Sequence, residues 1–397
     1  MDATERRRLA CRLASVCVFR NVLNHEPLKT LTEFLLTSAH DEEDDAIRLG
    51  RFAAFVHALA QDDFSLSRCL RRLVLPDENR LIVLAAQGAG IPAAIRRNAD
   101  RELDLFSDLT RLAPEDLCPP VDGLPVPQFD HEPTDFAALY RERLDHPERF
   151  GYGIFATASM FSVDGDAIVP VTSADTISLD SFIGYEDERR RVLENTRALV
   201  EGRPAANVLL CGDAGTGKSS TVKACANHFA SRGVRLIELR KDQLFSLPAI
   251  MGRIVGNPLK FIIFIDDLSF NRNDDCFSML KAVLEGGASA KAGNAAIYAT
   301  SNRRHIVKES FADREGDDDL HRNDTVQELM SLSDRFGLTV YFERPNKALY
   351  LDIIHQLADR FGIRTPRPEL DIRAEAFALA RGSRSPRAAE QFISSLR

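Results

Sequence analysis

One octapeptide constrains this chain more than any other feature. Residues 212–219 read GDAGTGKS, which fits the pattern G-x-x-x-x-G-K-[ST]. Glycines at those positions let the backbone close around phosphate oxygens, with successive N–H groups pointing inward. Lys218 then supplies a mobile point charge for the β- and γ-phosphates, and Ser219 a hydroxyl for Mg²⁺. Such a loop works only between a buried strand and a helix. The apolar run NVLLC before it and a helical pattern over 219–230 after it meet that demand. The helix N-terminus adds a partial charge of about +0.5 to the anion site. Gly212, Asp213, Ala214, Gly215, Thr216, Gly217, Lys218, Ser219 and Ser220 are therefore the candidate nucleotide-binding residues.

The pattern around the loop sets the fold class. Short apolar runs at Asn207–Cys211, Arg235–Leu239, Phe261–Ile265, Ala295–Thr300 and Leu338–Phe342 alternate with helical segments, the signature of a parallel α/β sheet. Beyond Pro345 the strand signal stops, and 346–397 read as three helices. Residues 1–112 carry apolar positions at helical spacing (Leu28, Leu31, Phe34, Leu35; Phe52, Phe55, Val56, Leu59). Repeated prolines over 113–134 forbid a continuous helix and mark a linker, followed by a helix at 135–148 and a hairpin centred on Asp164-Gly165. The expected division is thus a helical domain at 1–112, a linker region at 113–179, an α/β core at 180–345 and a helical lid at 346–397.

Further motifs add chemistry. KFIIFIDDLSF is a strand ending in Asp266, 47 residues after Ser219, which would hold Mg²⁺ beside the phosphate loop, with Asp267 placed to orient a water. Neither motif separates ATPases from GTPases or small-molecule kinases. A guanine-binding N-K-x-D element is missing its acid in Asn346-Lys347-Ala348-Leu349, which points to adenine. IYATSN ends in Asn302, able to bond an attacking water or a γ-phosphate. A helix expected after Asp324, with Gln327 as capping partner, ends at Arg335-Phe336-Gly337 beside the last strand, where Arg335 can reach a neighbouring subunit's γ-phosphate. GSRSPRAAEQF opens the last helix with Ser385 as N-cap and Pro386 at N1. Arg387 then opposes the helix dipole, and a ligand phosphate would compensate it.

In this order GDAGTGKS, FIIFIDD, IYATSN, SDRFG and SPR resemble an AAA+ ATPase: Walker A, Walker B, sensor 1, arginine finger and sensor 2. FIGYEDERRRVLENT, with Ile183, resembles the AAA+ segment that contacts adenine. The phrases CGDAGTGKSS, RKDQLFSLP, FIDDLSF, ATSNRRH and LSDRFG are similar to one bacterial family of predicted AAA+ ATPases catalogued as domain of unknown function 815. The resemblance implies a P-loop AAA+ five-stranded parallel sheet with a helical lid, with ATP and Mg²⁺ bound. It assigns Asp267, Asn302, Arg335 and Arg387 catalytic roles and gives Ser219 and Asp266 the metal. Asp267 departs from the Glu of most AAA+ motors and is shorter by roughly 1.5 Å, so slow hydrolysis is one expectation; loader-type members also carry Asp-Asp. RKDQLFSLP lacks the aromatic–apolar–glycine pore loop of threading unfoldases. The polar stretch 303–324 is either a solvated excursion or a partner-contacting element.

Composition narrows the partners. The net charge is −8, with 19 Lys+Arg against 26 Asp+Glu in residues 1–150 and near balance after them. No broad basic domain is present to displace counterions, so nucleic acid is not favoured and a protein partner through the N-terminal domain is. Seven scattered cysteines without a C-x-x-C pair argue against a disulfide framework or a zinc ribbon and fit the cytoplasm. The longest apolar stretch, Leu81–Ile95, is broken by Gln87, two glycines and Pro92, so no membrane span is expected. The arginine-rich N-terminus reads as an amphipathic helix rather than an export signal. A homo-oligomer is expected from the placement of Arg335. The competing reading is an ATP-dependent switch or scaffold in which hydrolysis is incidental.

Overall fold

All five apolar runs form strands, and the first four are buried along nearly their whole length, as a parallel strand covered on both faces requires. Leu338–Phe342, at the sheet edge, buries only Val340 and Phe342. The computed structural model describes residues 1–37, 44–120, 124–172, 177–268, 275–284, 293–302 and 335–397. In chain order the strands are β1 (Met160–Asp164), β2 (Ala167–Pro170), β3 (Val208–Gly212), β4 (Val234–Leu239), β5 (Lys260–Ile265), β6 (Ala295–Ser301) and β7 (Leu338–Phe342). They make one sheet in the order β2-β1-β4-β5-β6-β3-β7.

Within it, β4-β5-β6-β3-β7 is the expected parallel sheet, so the P-loop AAA+ α/β fold stands. The sheet is two strands wider than expected. The hairpin about Asp164-Gly165 forms, and its first strand pairs in parallel with β4, Met160 opposite Leu236. The physical reason is the otherwise bare edge of β4, which the hairpin covers while burying Phe161, Val163 and Ile168. Gln243 and Ser246 fasten it, through Nε2 to Val163 O at 2.7 Å and Oγ to Asp166 Oδ1 at 2.9 Å.

Strand order decides where chemistry can occur. Because β5, β6 and β3 are neighbours running in one direction, the residues that follow each of them emerge along one edge of the sheet. Those residues are Asp266-Asp267, Asn302 and the phosphate loop. The three lid helices form as expected, at Lys347–Arg360, Arg367–Ala380 and Pro386–Ser394. Their core unites Tyr350, Ile353, Ile354, Leu370 and Phe392 with Ile183.

The polypeptide packs as two compact units, Met1–Thr157 and Ala158–Arg397. The first is helical, and both predicted apolar faces lie in its core beside Phe19, Phe106 and Tyr140. The proline-rich segment and the helix Phe136–Asp145 belong to this unit. Thr110 and Ser107 hydroxyls accept the backbone N–H groups of Thr134 and Phe136 at 3.0 and 2.9 Å. A buried carboxylate, Glu102, takes the N–H groups of Cys17, Val18 and Phe19, ending the first helix region firmly. Among the described residues no helix is long and apolar enough to cross a membrane.

Candidate functional site

The phosphate loop begins where β3 runs out beside β7. Gly212 sits at φ +144°, and a Cβ there would lie 2.0 Å from Phe342 O, so no other residue can make the crossing. Thr216 Oγ donates to Asp213 O at 2.9 Å and closes the loop on itself. The helix Lys218–Phe229 follows at once, placing Lys218, Ser219 and Ser220 in its first turn.

Lys218 is 5 % exposed, and burial pulls its pKa below the usual lysine range, with Asp213 the largest opposing influence. Its ammonium donates to Gly212 O at 3.0 Å, Asp213 O at 2.8 Å and Asn302 Oδ1 at 3.0 Å. All three of its donors are thus occupied by neutral acceptors of modest strength. The other end of the Asn302 amide donates to Asp267 Oδ1 at 2.8 Å. Ser219 Oγ donates to Asp266 Oδ1 at 2.6 Å. Five residues from three separate strand ends therefore form a chain of three, Lys218–Asn302–Asp267, and a pair, Ser219–Asp266.

The donor set fits Mg²⁺. Ser219 and Asp266 offer hard oxygens, and the lone pairs of Ser219 Oγ stay available because its proton is committed to Asp266. Among the described residues no group of three or more His, Cys, Asp or Glu could hold a metal. An ion at Ser219 and Asp266 would be held by one carboxylate, one hydroxyl, water and substrate phosphates.

Beside the loop lies a cavity of about 180 Å³. The loop residues Gly215, Thr216, Gly217 and Ser220 line one side, and Arg387 with Pro386 and Glu390 the other. Phe182, Ile183, Ile353 and Leu357 make its apolar wall, and Ser181 and Arg189 complete the lining. The lid closes directly on the loop, for Arg387 N–H donates to Gly215 O at 3.3 Å. Ser385 caps the last helix, accepting Ala388 N–H at 3.2 Å, as its sequence predicts.

Of the candidate residues, Arg335 alone lies away from this cluster. It precedes β7, at the opposite end of the strands from the phosphate loop, because Leu338 pairs with Val208 and Phe342 with Gly212. Five residues at ~3.3 Å each put about 17 Å of strand between them. The helix expected to carry Arg335, with Asp324 and Gln327, and the stretch 303–324 lie outside the described residues. Asn346, the first residue of the failed guanine element, caps a lid helix by accepting Leu349 N–H at 2.9 Å.

Three residues escaped sequence reasoning. Thr300 bonds both acids, and its signal was the two-residue strand period that places it on the face of Asn302. Arg189 is 9 % exposed, hydrogen-bonds Gly184 O and stacks 5.1 Å over Phe182. Its position at helical spacing with Val192, Thr196 and Leu199 marked it as inward-facing. Arg360 ties the lid to the cavity segment, donating to Ser181 O at 2.6 Å and Asp180 O at 3.2 Å. Nothing local in the sequence indicates that reach.

Comparison with known proteins places the chain. A family model described as "Protein of unknown function (DUF815)" matches residues 156–397, more than half of the sequence. No curated protein matches. Among solved structures, the Thermotoga maritima RuvB Holliday junction branch migration motor is similar at 15% identity and TM-score 0.32, over 55% of this chain and 72% of that one. The replication initiator DnaA bound to AMPPCP and single-stranded DNA is similar at 17% identity and TM-score 0.38, over 55% of this chain and 64% of that one. The chain belongs to the DUF815 family.

Proposed function

We propose that this member of the DUF815 family is a cytoplasmic ATPase that hydrolyses MgATP and uses the cycle to remodel or load a protein partner. The observation that carries the reading is the convergence of Lys218, Ser219, Asp266, Asp267 and Asn302 at one sheet edge, beside a cavity with one apolar wall. In the cycle, β- and γ-phosphate oxygens replace the carbonyls and the Asn302 amide that hold Lys218, and stronger charge-assisted bonds form. Mg²⁺, when bound at Ser219 and Asp266, supplies neutralisation of the charge on those oxygens. Released from Lys218, the Asn302 amide is free to meet the γ-phosphate. Asp267 orients a water, whose oxygen bonds the γ-phosphorus as the bond to the β–γ bridging oxygen breaks, leaving ADP and phosphate. Adenine fills the cavity at Ile183, and Arg387 neutralises the phosphates from the lid.

Arg335 supports assembly as part of this reading. It is too far along the sheet to serve its own loop, which suits a finger offered to a neighbouring copy. The acidic N-terminal unit suits a protein client better than nucleic acid. The direct test is equilibrium binding of ATP with Mg²⁺ followed by turnover measured against protein concentration. Affinity in the micromolar range and a specific activity that rises with concentration are expected. Absence of ATP binding at millimolar nucleotide would sink the proposal. The second reading, an ATP-dependent switch, is favoured by the short Asp267 side chain. Tight binding with turnover well below about 1 s⁻¹ in the assembled protein would select it.

A further inference from the structure

Among the described residues, Thr300 hydrogen-bonds both acids. It lies next to the end of β6 and is 2 % exposed. Its hydroxyl donates to Asp266 Oδ1 at 2.6 Å and accepts the Asp267 N–H at 2.9 Å. Its carbonyl accepts the Leu268 N–H at 2.7 Å. A single threonine thus grips the three consecutive residues that leave β5.

Two consequences follow from the donor count. A hydroxyl has one proton and two lone pairs, so giving the proton to a carboxylate leaves it an acceptor for the neighbouring amide. Asp266 Oδ1 meanwhile receives three donors: Ser219 Oγ, Thr300 Oγ1 and, at 3.1 Å, Asp267 N–H. Its lone pairs are used up, and Oδ2 is left as the oxygen with capacity for a metal's water shell. The second consequence concerns the backbone. Asp267 sits at φ +53°, a left-handed conformation costing on the order of 1 kcal/mol or more for a residue with a side chain. The bonds from Asp267 and Leu268 to Thr300 hold that turn, and from it Asp267 reaches the Asn302 amide.

We propose that Thr300 is a positioning residue that couples the metal-holding acid to the water-orienting acid through one hydroxyl. The inference rests on the MgATP reading above. No catalytic contact is assigned to Thr300 itself; it acts through Asp266 and Asp267.

The test compares full-length wild type with Thr300→Val, which removes the hydroxyl at nearly constant shape, and Thr300→Ser, which keeps it. A fluorescent ATP analogue is titrated with Mg²⁺ and with EDTA, and kcat and KM are measured separately. In Thr300→Val the gain in affinity from Mg²⁺ should shrink and kcat should fall, each by roughly 10–100-fold, the worth of a hydrogen bond to a charged group. Affinity in EDTA should stay at the wild-type value, because the loop and Lys218 are untouched, and Thr300→Ser should restore both quantities. If Thr300→Val does not fold, Thr300→Cys, a weak donor of similar size, carries the same comparison. Wild-type Mg²⁺ dependence and kcat in the variant lacking the hydroxyl would overturn the coupling. So would an equal loss of affinity in EDTA and Mg²⁺, or a serine variant no better than valine. If wild type itself fails to bind the analogue, the MgATP reading falls with it; if wild type binds normally and valine is unaffected, only the coupling falls.

Discussion

Lys218 and Asn302 stand 84 residues apart in the chain and are joined by a 3.0 Å hydrogen bond from the ammonium to the side-chain amide. The bond exists because β3 and β6 are adjacent parallel strands, so that the loop after one meets the residue that follows the other. The same amide also donates to Asp267 Oδ1 at 2.8 Å, so the lysine and the acid are joined through one side chain.

Separating the two halves of that relationship gives the first expectation. Lys218→Ala should weaken ATP by at least ~100-fold, because a buried cation bonded to phosphate is lost. Asp267→Asn should keep ATP within about threefold while turnover falls by ~10²–10³. Isothermal titration and single-turnover assays read the two effects independently. Equal losses of binding in both variants would contradict the assigned roles.

Arg335 offers a mixing experiment. Alone, Arg335→Ala should lose about 10³–10⁵ of the assembled rate, and so should Lys218→Ala. Mixed together, the two inactive proteins should recover part of the activity, since an intact loop can meet an intact finger on another copy. Recovery that scales with mixing ratio supports the trans arrangement, and none at all would remove it.

Gly212→Ala tests the fold rather than the chemistry. The added Cβ would fall 2.0 Å from Phe342 O, forcing β3 and β7 apart at their ends. A loss of about 3 kcal/mol is expected in urea denaturation, the upper range for an overpacked site. A variant as stable as wild type would mean that the strand ends relax far more easily than this packing suggests.

In the N-terminal unit, Glu102→Ala should leave the amides of Cys17, Val18 and Phe19 without their acceptor. The cost should be about 3 kcal/mol. Hydrogen exchange at residues 17–19 should accelerate first, before the rest of the unit. Glu102→Gln, which keeps one acceptor oxygen, should lose less.

Much of the α/β unit was legible because its signals are local. GDAGTGKS declares a turn, an anion site and a helix start within eight residues, and continuous apolar runs declare strands buried on both faces. The hairpin was equally legible from Asp164-Gly165 between its apolar runs. Its membership of the sheet was not, because pairing Met160 with Leu236 depends on which edge stands bare once the other strands have assembled. Thr300 reads in sequence as one more strand residue, and its value appears only when Asp266 is brought alongside.

The sequence by itself thus determined the kinds of element, their order, and the chemical inventory of phosphate loop, acids, amide and lid arginine. Those follow from side-chain periodicity and from backbone freedom at glycine, both of which act over a few residues. Tertiary structure alone decided the meeting of Lys218, Asn302, Asp267 and Thr300, the extra pair of strands, and the separation of Arg335 from its own loop. Strand order decided all three. It is set by competition among possible pairings for burial and backbone hydrogen bonds, a property of the assembled sheet and not of any segment within it.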